Sequence, residues 1–192
     1  MKSLFKMKKY KKEVIDIKKL DEITPSNLRG KINLLFNKDI PKNPNTANDK
    51  LIERLSKVSE SHLQQHFYKE FNLLACEAKF KNKDLELEFV QNDNGDTAGG
   101  SLTQIQRIAL YKRKKVEGSK AGYPDISIIA TGGNTIYCEV KKITTPSAIH
   151  LTKEQFDWFL KLNRMGFDAY ITNNPTFFKE VILEKVKNNL YD

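Results

Sequence analysis

Gly122-Tyr123-Pro124-Asp125-Ile126-Ser127-Ile128-Ile129, followed across Thr131-Gly132-Gly133-Asn134 by Ile136-Tyr137-Cys138-Glu139-Val140-Lys141, decides how the chain folds. Two short runs rich in β-branched residues, joined by a Gly-Gly turn, predict a β-hairpin. Side chains alternate along a strand, so Tyr137, Glu139 and Lys141 share one face while Ile136, Cys138 and Val140 take the other. Pro124-Asp125 heads the first strand, and closing the hairpin returns Asp125 to the end of the second. Two acids and an amine converge there.

That set of groups suits hydrolysis of a phosphodiester. Two carboxylates, Asp125 and Glu139, hold a hard divalent cation, Mg²⁺ or Mn²⁺, through oxygen ligands with water completing the shell. Such a cation lowers the pKa of its water and neutralises charge building on phosphoryl oxygens. Lys141 orients the attacking water or stabilises the transition state as a point charge. An E-x-K pair by itself is common on strand surfaces. The Pro-Asp at the head of the preceding strand is what sets this one apart.

Pro124-Asp125, thirteen residues and then Glu139-x-Lys141 resembles the PD-(D/E)xK nuclease motif. With Gly122-Tyr123 in front, and Leu151-Thr152-Lys153-Glu154-Gln155 opening an amphipathic helix that ends at Gly166, it is similar to the VRR-NUC branch, the virus-type replication and repair nucleases. The resemblance covers about residues 56–174. It implies a restriction-endonuclease-like α/β core, a mixed β-sheet flanked by helices, that cleaves DNA with a divalent metal. Branched or junction DNA in phage or repair processing is the implied substrate, and a dimer or higher homo-oligomer the implied assembly. It also implies that Gln155 lies beside the catalytic centre, and that an acidic residue from an N-terminal helix, here Glu60, joins Asp125 and Glu139 at the metal. Tyr123 occupies a position more often small or β-branched in relatives, and residues 1–50 have no family counterpart.

The chain of 192 residues is long enough for one domain and an extension. We read residues 1–50 as a basic extension and linker and 51–192 as the nuclease domain. A formal net charge of +9 favours a polyanionic partner, DNA or an anionic membrane surface. No apolar run is long enough to span a membrane, and the lysine-rich start lacks the apolar stretch of a secretory signal. Cys76 and Cys138 match neither a disulfide framework nor a zinc pattern and read as small buried hydrophobes in a reducing compartment. A cytoplasmic location follows, the host cytoplasm if the chain is phage-encoded.

Lysines crowd Met1 to Leu20, either as a solvated tail or as a nucleic-acid-binding arm. Helical spacing begins near Leu51 and runs to Leu74, with Leu63, Phe67, Phe71 and Leu74 on one face. Glu60 lies on the backward extension of that face, either reaching a metal or simply favouring the dipole in a solvent-facing first turn. Lys79–Val90 reads as a half-exposed strand, with Leu85, Leu87 and Phe89 alternating against Glu86, Glu88 and Val90, followed by a loop to Gly100 and a helix from about Ser101 to Val116. Arg107, Lys112, Arg113, Lys114, Lys115 and Lys120 near the end of that helix exceed what capping requires and read as phosphate contacts. Thr152 and Gln155 form a capping box. Trp158 is either core packing or a base-stacking platform. Phe167–Ile171 reads as a strand, and Asn174-Pro175 opens a terminal helix with Phe178, Val181, Ile182, Val186 and Leu190 on its apolar side.

Two rival functions share these features. One is a nucleic-acid-binding module that keeps the fold without cleaving; the other is a defence or restriction nuclease acting on RNA or modified DNA. Metal dependence separates the first, and substrate identity the second.

Overall fold

The computed structural model describes residues 13–92 and 121–190. The lysines of residues 1–12, the predicted helix 101–116 and the proposed phosphate-binding cations Arg107, Lys112, Arg113, Lys114, Lys115 and Lys120 lie outside the described residues.

The hairpin forms where its sequence calls for it. Strands β3 (Ile126–Ala130) and β4 (Thr135–Val140) pair antiparallel, with Ile126 opposite Cys138 and Ile128 opposite Ile136. Gly132 and Gly133 both adopt positive φ, near +86° and +82°, which is why the turn needs glycine there. Around this pair a five-stranded mixed sheet assembles in the order β1-β5-β4-β3-β2. Strand β2 (Leu87–Gln91) runs antiparallel to β3. Strand β5 (Asp168–Thr172) runs parallel to β4, and β1 (Ile32–Asn33) parallel to β5.

Helices cover both faces, as the α/β reading required. A short helix, α1 (Leu20–Ile23), precedes β1, and α2 (Ala47–Ser56) follows it. The long helix α3 (Glu60–Lys81) lays Leu63, Phe67 and Phe71 on one face of the sheet, against Ile126, Ile128, Ile136, Cys138 and Val140. On the opposite face α4 (Lys153–Arg164) buries Phe156, Phe159 and Leu162 with Ala169 and Ile171. The two faces of β4 therefore divide as alternation demands: the apolar set faces α3, and the chemistry-bearing set faces α4.

Four expectations change, the first being the strand read over Lys79–Val90: Lys79–Lys81 close α3, and the strand is Leu87–Gln91. The helix predicted from Leu51 to Leu74 is two helices, because Ser59 takes extended backbone and caps α3, its hydroxyl accepting from the His62 N–H. Cys76, read as buried, is exposed on the outer face of α3, whereas Cys138 is buried as read. The terminal helix is α-helical over Pro175–Phe177, π-helical over Phe178–Leu183 and α-helical again over Glu184–Asn189. The wider turn rotates Val181 outward, to 39% exposure, and brings Leu183 in at 5%.

Residues 13–50, read as part of an extension and linker, are tied to the same sheet and core. Leu20 packs with Leu151 and Ile171, and β1 extends the sheet at β5. The Asn173 side chain bonds both backbone groups of Leu35. Gly30 approaches β5 so closely that a Cβ would fall 1.6 Å from the Ala169 carbonyl oxygen.

Candidate active site

The hairpin register brings the acids together. Ile126 lies opposite Cys138, so Asp125, one residue earlier, comes level with Glu139 on the face turned toward α4. The Asp125 carboxylate accepts from the Val140 N–H at 2.9 Å, which draws the Gly-Tyr-Pro-Asp turn onto the end of β4.

Glu139 is 3% exposed, and one of its oxygens receives both the Lys141 ammonium, at 2.7 Å, and the Gln155 side-chain N–H. Its other oxygen, Oε2, is buried and has no hydrogen-bond partner among the described residues. Burial first, then the negative charges of Asp125 and Glu60, push the Glu139 carboxyl up to about 8, against the pull of Lys141. Lys141 is 5% exposed. Burial alone would lower its pKa, but Glu139, Glu60 and Asp125 together carry it above its ordinary value, so it remains a cation.

Glu60 takes the helix-start position read for it but does not face solvent. It is the first residue of α3, where a carboxylate favours the helix dipole, and it is also half-buried and turned to the site. Its carboxylate accepts from the Lys142 backbone N–H at 3.1 Å. Burial and Asp125 raise its pKa, while Lys141 and the Lys142 N–H oppose them.

Gln155 is placed by its helix. The Thr152 hydroxyl accepts the Gln155 N–H, and the Gln155 side-chain oxygen accepts the Thr152 N–H, so the capping box forms as read. That leaves the Gln155 amide nitrogen aimed at Glu139. One amide thus caps a helix and holds a catalytic candidate.

Several contributors carry no motif. Gly122 has φ near +76°, and a Cβ there would lie 2.5–2.7 Å from atoms of Glu154 and Gln155. The turn that delivers Asp125 therefore rests directly on the first turn of α4. Trp158 packs, partly buried, against the core beneath α4 and is not an open platform: its indole N–H donates to the Ala121 carbonyl at 3.1 Å, its ring meets Tyr123 edge-on and Lys161 covers a face at 4.5 Å. Tyr123 also meets Tyr137 edge-on, and burial followed by the hydrogen bond that the Tyr137 hydroxyl donates to Tyr123 pushes that hydroxyl up to about 12. On the far side, Thr172 accepts the Lys141 N–H and Asn173 donates to the Lys142 carbonyl. Only the Gly preceding Tyr-Pro-Asp, a residue type suited to tight approach, offered a signal for these contacts.

The donor set is all oxygen, which suits a hard cation. The partnerless Glu139 oxygen and the mutual repulsion of Asp125, Glu139 and Glu60 are both relieved by a positive ion. Among the described residues no group of three or more His, Cys, Asp or Glu side chains is gathered closely enough to hold an ion. Two carboxylates with water completing the shell is the arrangement that fits, and it is one that Mg²⁺ commonly takes. Glu60 is engaged instead by the Lys142 backbone.

Compared with protein-family models, curated proteins and solved structures, the chain matches none.

Proposed function

We propose that the chain is a metal-dependent nuclease that hydrolyses DNA phosphodiester bonds, built on a restriction-endonuclease-like core. The observation that carries the reading is Glu139: a carboxylate buried between Lys141 and Gln155, level with Asp125, with one oxygen that no described residue partners. A fold retains so costly a group when something else completes it.

Asp125 and Glu139 would hold the divalent cation, Mg²⁺ or Mn²⁺, which when bound supplies an acidified water and neutralises charge on the phosphoryl oxygens. Lys141 keeps its proton and stands within reach of Glu139, where it stabilises charge developing on the scissile phosphate. Gln155 fixes the Glu139 carboxylate by its amide. Glu60 holds the backbone at Lys142 and so sets where Lys141 begins. The net charge of +9 supports a polyanionic substrate. Recognition by backbone and shape, with little base readout, and self-association into a dimer or higher oligomer belong to the same proposal.

A second reading, a binding module that does not cleave, draws on the engagement of one Glu139 oxygen by both Lys141 and Gln155. The two are separated by incubating duplex, flap, four-way-junction and single-stranded DNA with Mg²⁺, Mn²⁺ or EDTA. Wild-type protein is expected to cut at least one with metal only, and Asp125→Asn and Lys141→Ala to cut none. Salt-sensitive binding without cutting under any metal would install the second reading.

A further inference from the structure

A cavity of about 620 Å³ opens beside the site, and Asp125 and Glu139 are not part of its wall. Lys141, Gln155 and Glu60 form the wall it shares with the site. Its remaining lining divides by chemistry: Val14, Ala148 and Ile149 are apolar, whereas Lys142, His150, Thr144 and Thr152 are cationic or polar. The apolar part is held in place by backbone bonds, because Ile15 donates to the Leu151 carbonyl at 2.8 Å and Lys153 to the Glu13 carbonyl at 2.9 Å. Val14 is thereby bridged to Thr152, across the helix start that carries Gln155.

Resting on the nuclease reading above, we propose that this cavity is a subsite for one unpaired nucleotide adjacent to the scissile phosphate. A volume within the ordinary range for small-ligand sites, about 300–1,000 Å³, is of a size to hold a single nucleotide. The apolar wall suits a base or sugar face, and Lys142 with His150 suits the flanking phosphate. The subsite shares Lys141 with the reaction centre, so a nucleotide inside it is joined to the phosphate being cut. Unstacking a paired nucleotide to fill the pocket costs free energy that an already unpaired one does not. Selectivity for DNA with a loose nucleotide at the cut follows from the cavity without any base-specific contact.

The test uses the full chain, with Ca²⁺ to permit binding. The probes are a duplex and the same duplex carrying one unpaired 2-aminopurine nucleotide beside a nick. Wild-type protein is expected to bind the unpaired probe roughly tenfold more tightly, with a change in 2-aminopurine emission. Ala148→Trp, at an exposed position in the cavity wall, fills the space and should bring the unpaired probe down to duplex affinity with the melting temperature retained. Ala148→Met should fall between them. Equal wild-type affinity for the two probes, or a preference that survives Ala148→Trp, overturns the subsite and leaves the nuclease reading standing. If neither DNA is bound, and none is cut with Mg²⁺ or Mn²⁺, the nuclease reading falls and takes the subsite with it.

Discussion

Glu139 is where burial, charge and chemistry meet in one side chain. Its carboxyl is raised from 4.5 to about 8, first by burial and then by Asp125, so ionising it costs folding free energy that is absent below its ordinary value. That cost grows as pH rises and is complete above about 8. Without a divalent ion, this group therefore makes the protein less stable across that window. A cation bound by Glu139 needs the ionised form, so binding releases a proton below about pH 8 and none well above it. Apparent Mg²⁺ affinity, followed by titration calorimetry, is expected to climb with pH and level off past about 8. An affinity flat over that range removes Glu139 from the ligand set. Lys141→Met is expected to lower cleavage roughly 10²–10³-fold while Mg²⁺ binding persists, the signature of a group acting on the transition state.

Between the residue and the molecule, the first turn of α4 does two things at once. Gln155 reaches Glu139, and the backbone of Glu154 and Gln155 seats Gly122, so both carboxylates depend on one helix start. Gly122→Ala places a methyl group where Glu154 already is, at a φ that alanine resists. It is expected to destabilise by roughly 1–3 kcal/mol and to reduce cleavage further than that loss of folded protein explains. Thr152→Ala is the matched comparison. It removes a helix cap worth about 1 kcal/mol but leaves the Thr152 N–H that orients Gln155, so its melting temperature drops while activity per folded molecule stays within a few-fold. Equal loss of activity in the two variants, measured against folded protein by circular dichroism, would show that the turn does not depend on the Gly122 approach.

At the scale of the whole molecule, the N-terminal part of the described chain belongs to the body of the protein. Residues 13–46 supply β1, cover Leu151 and Ile171 with Leu20, and brace Lys142 through Asn173 and Leu35. Deleting residues 1–46 is expected to abolish a cooperative thermal transition, because it strips an edge from β5 and opens the core beneath α4. Deleting only 1–12 leaves every described contact in place and should hold the melting temperature within a few degrees. DNA affinity should fall linearly with the logarithm of salt concentration in the full chain; a shallower slope in the shorter deletion would assign phosphate contacts to the lysines of residues 1–12, and an unchanged slope would make them a solvated tail.

What could be read from the chain was whatever depends on neighbours in sequence. Strand alternation assigned Ile136, Cys138 and Val140 to one face and Glu139 and Lys141 to the other. The Gly-Gly turn set the register that brings Asp125 level with Glu139, and the Thr152–Gln155 spacing announced a capping box. Each rests on a period or a turn only a few residues long. What the tertiary structure decided were contacts between distant segments: Glu60 against the Lys142 backbone, Trp158 on Ala121, Gly122 on α4, and residues 13–36 along β5 and α4. Their partners lie far away in sequence, so no local pattern encodes them. The exposure of Cys76 has the same origin. Periodicity tells which residues share a helix face, and packing alone determines which face is covered.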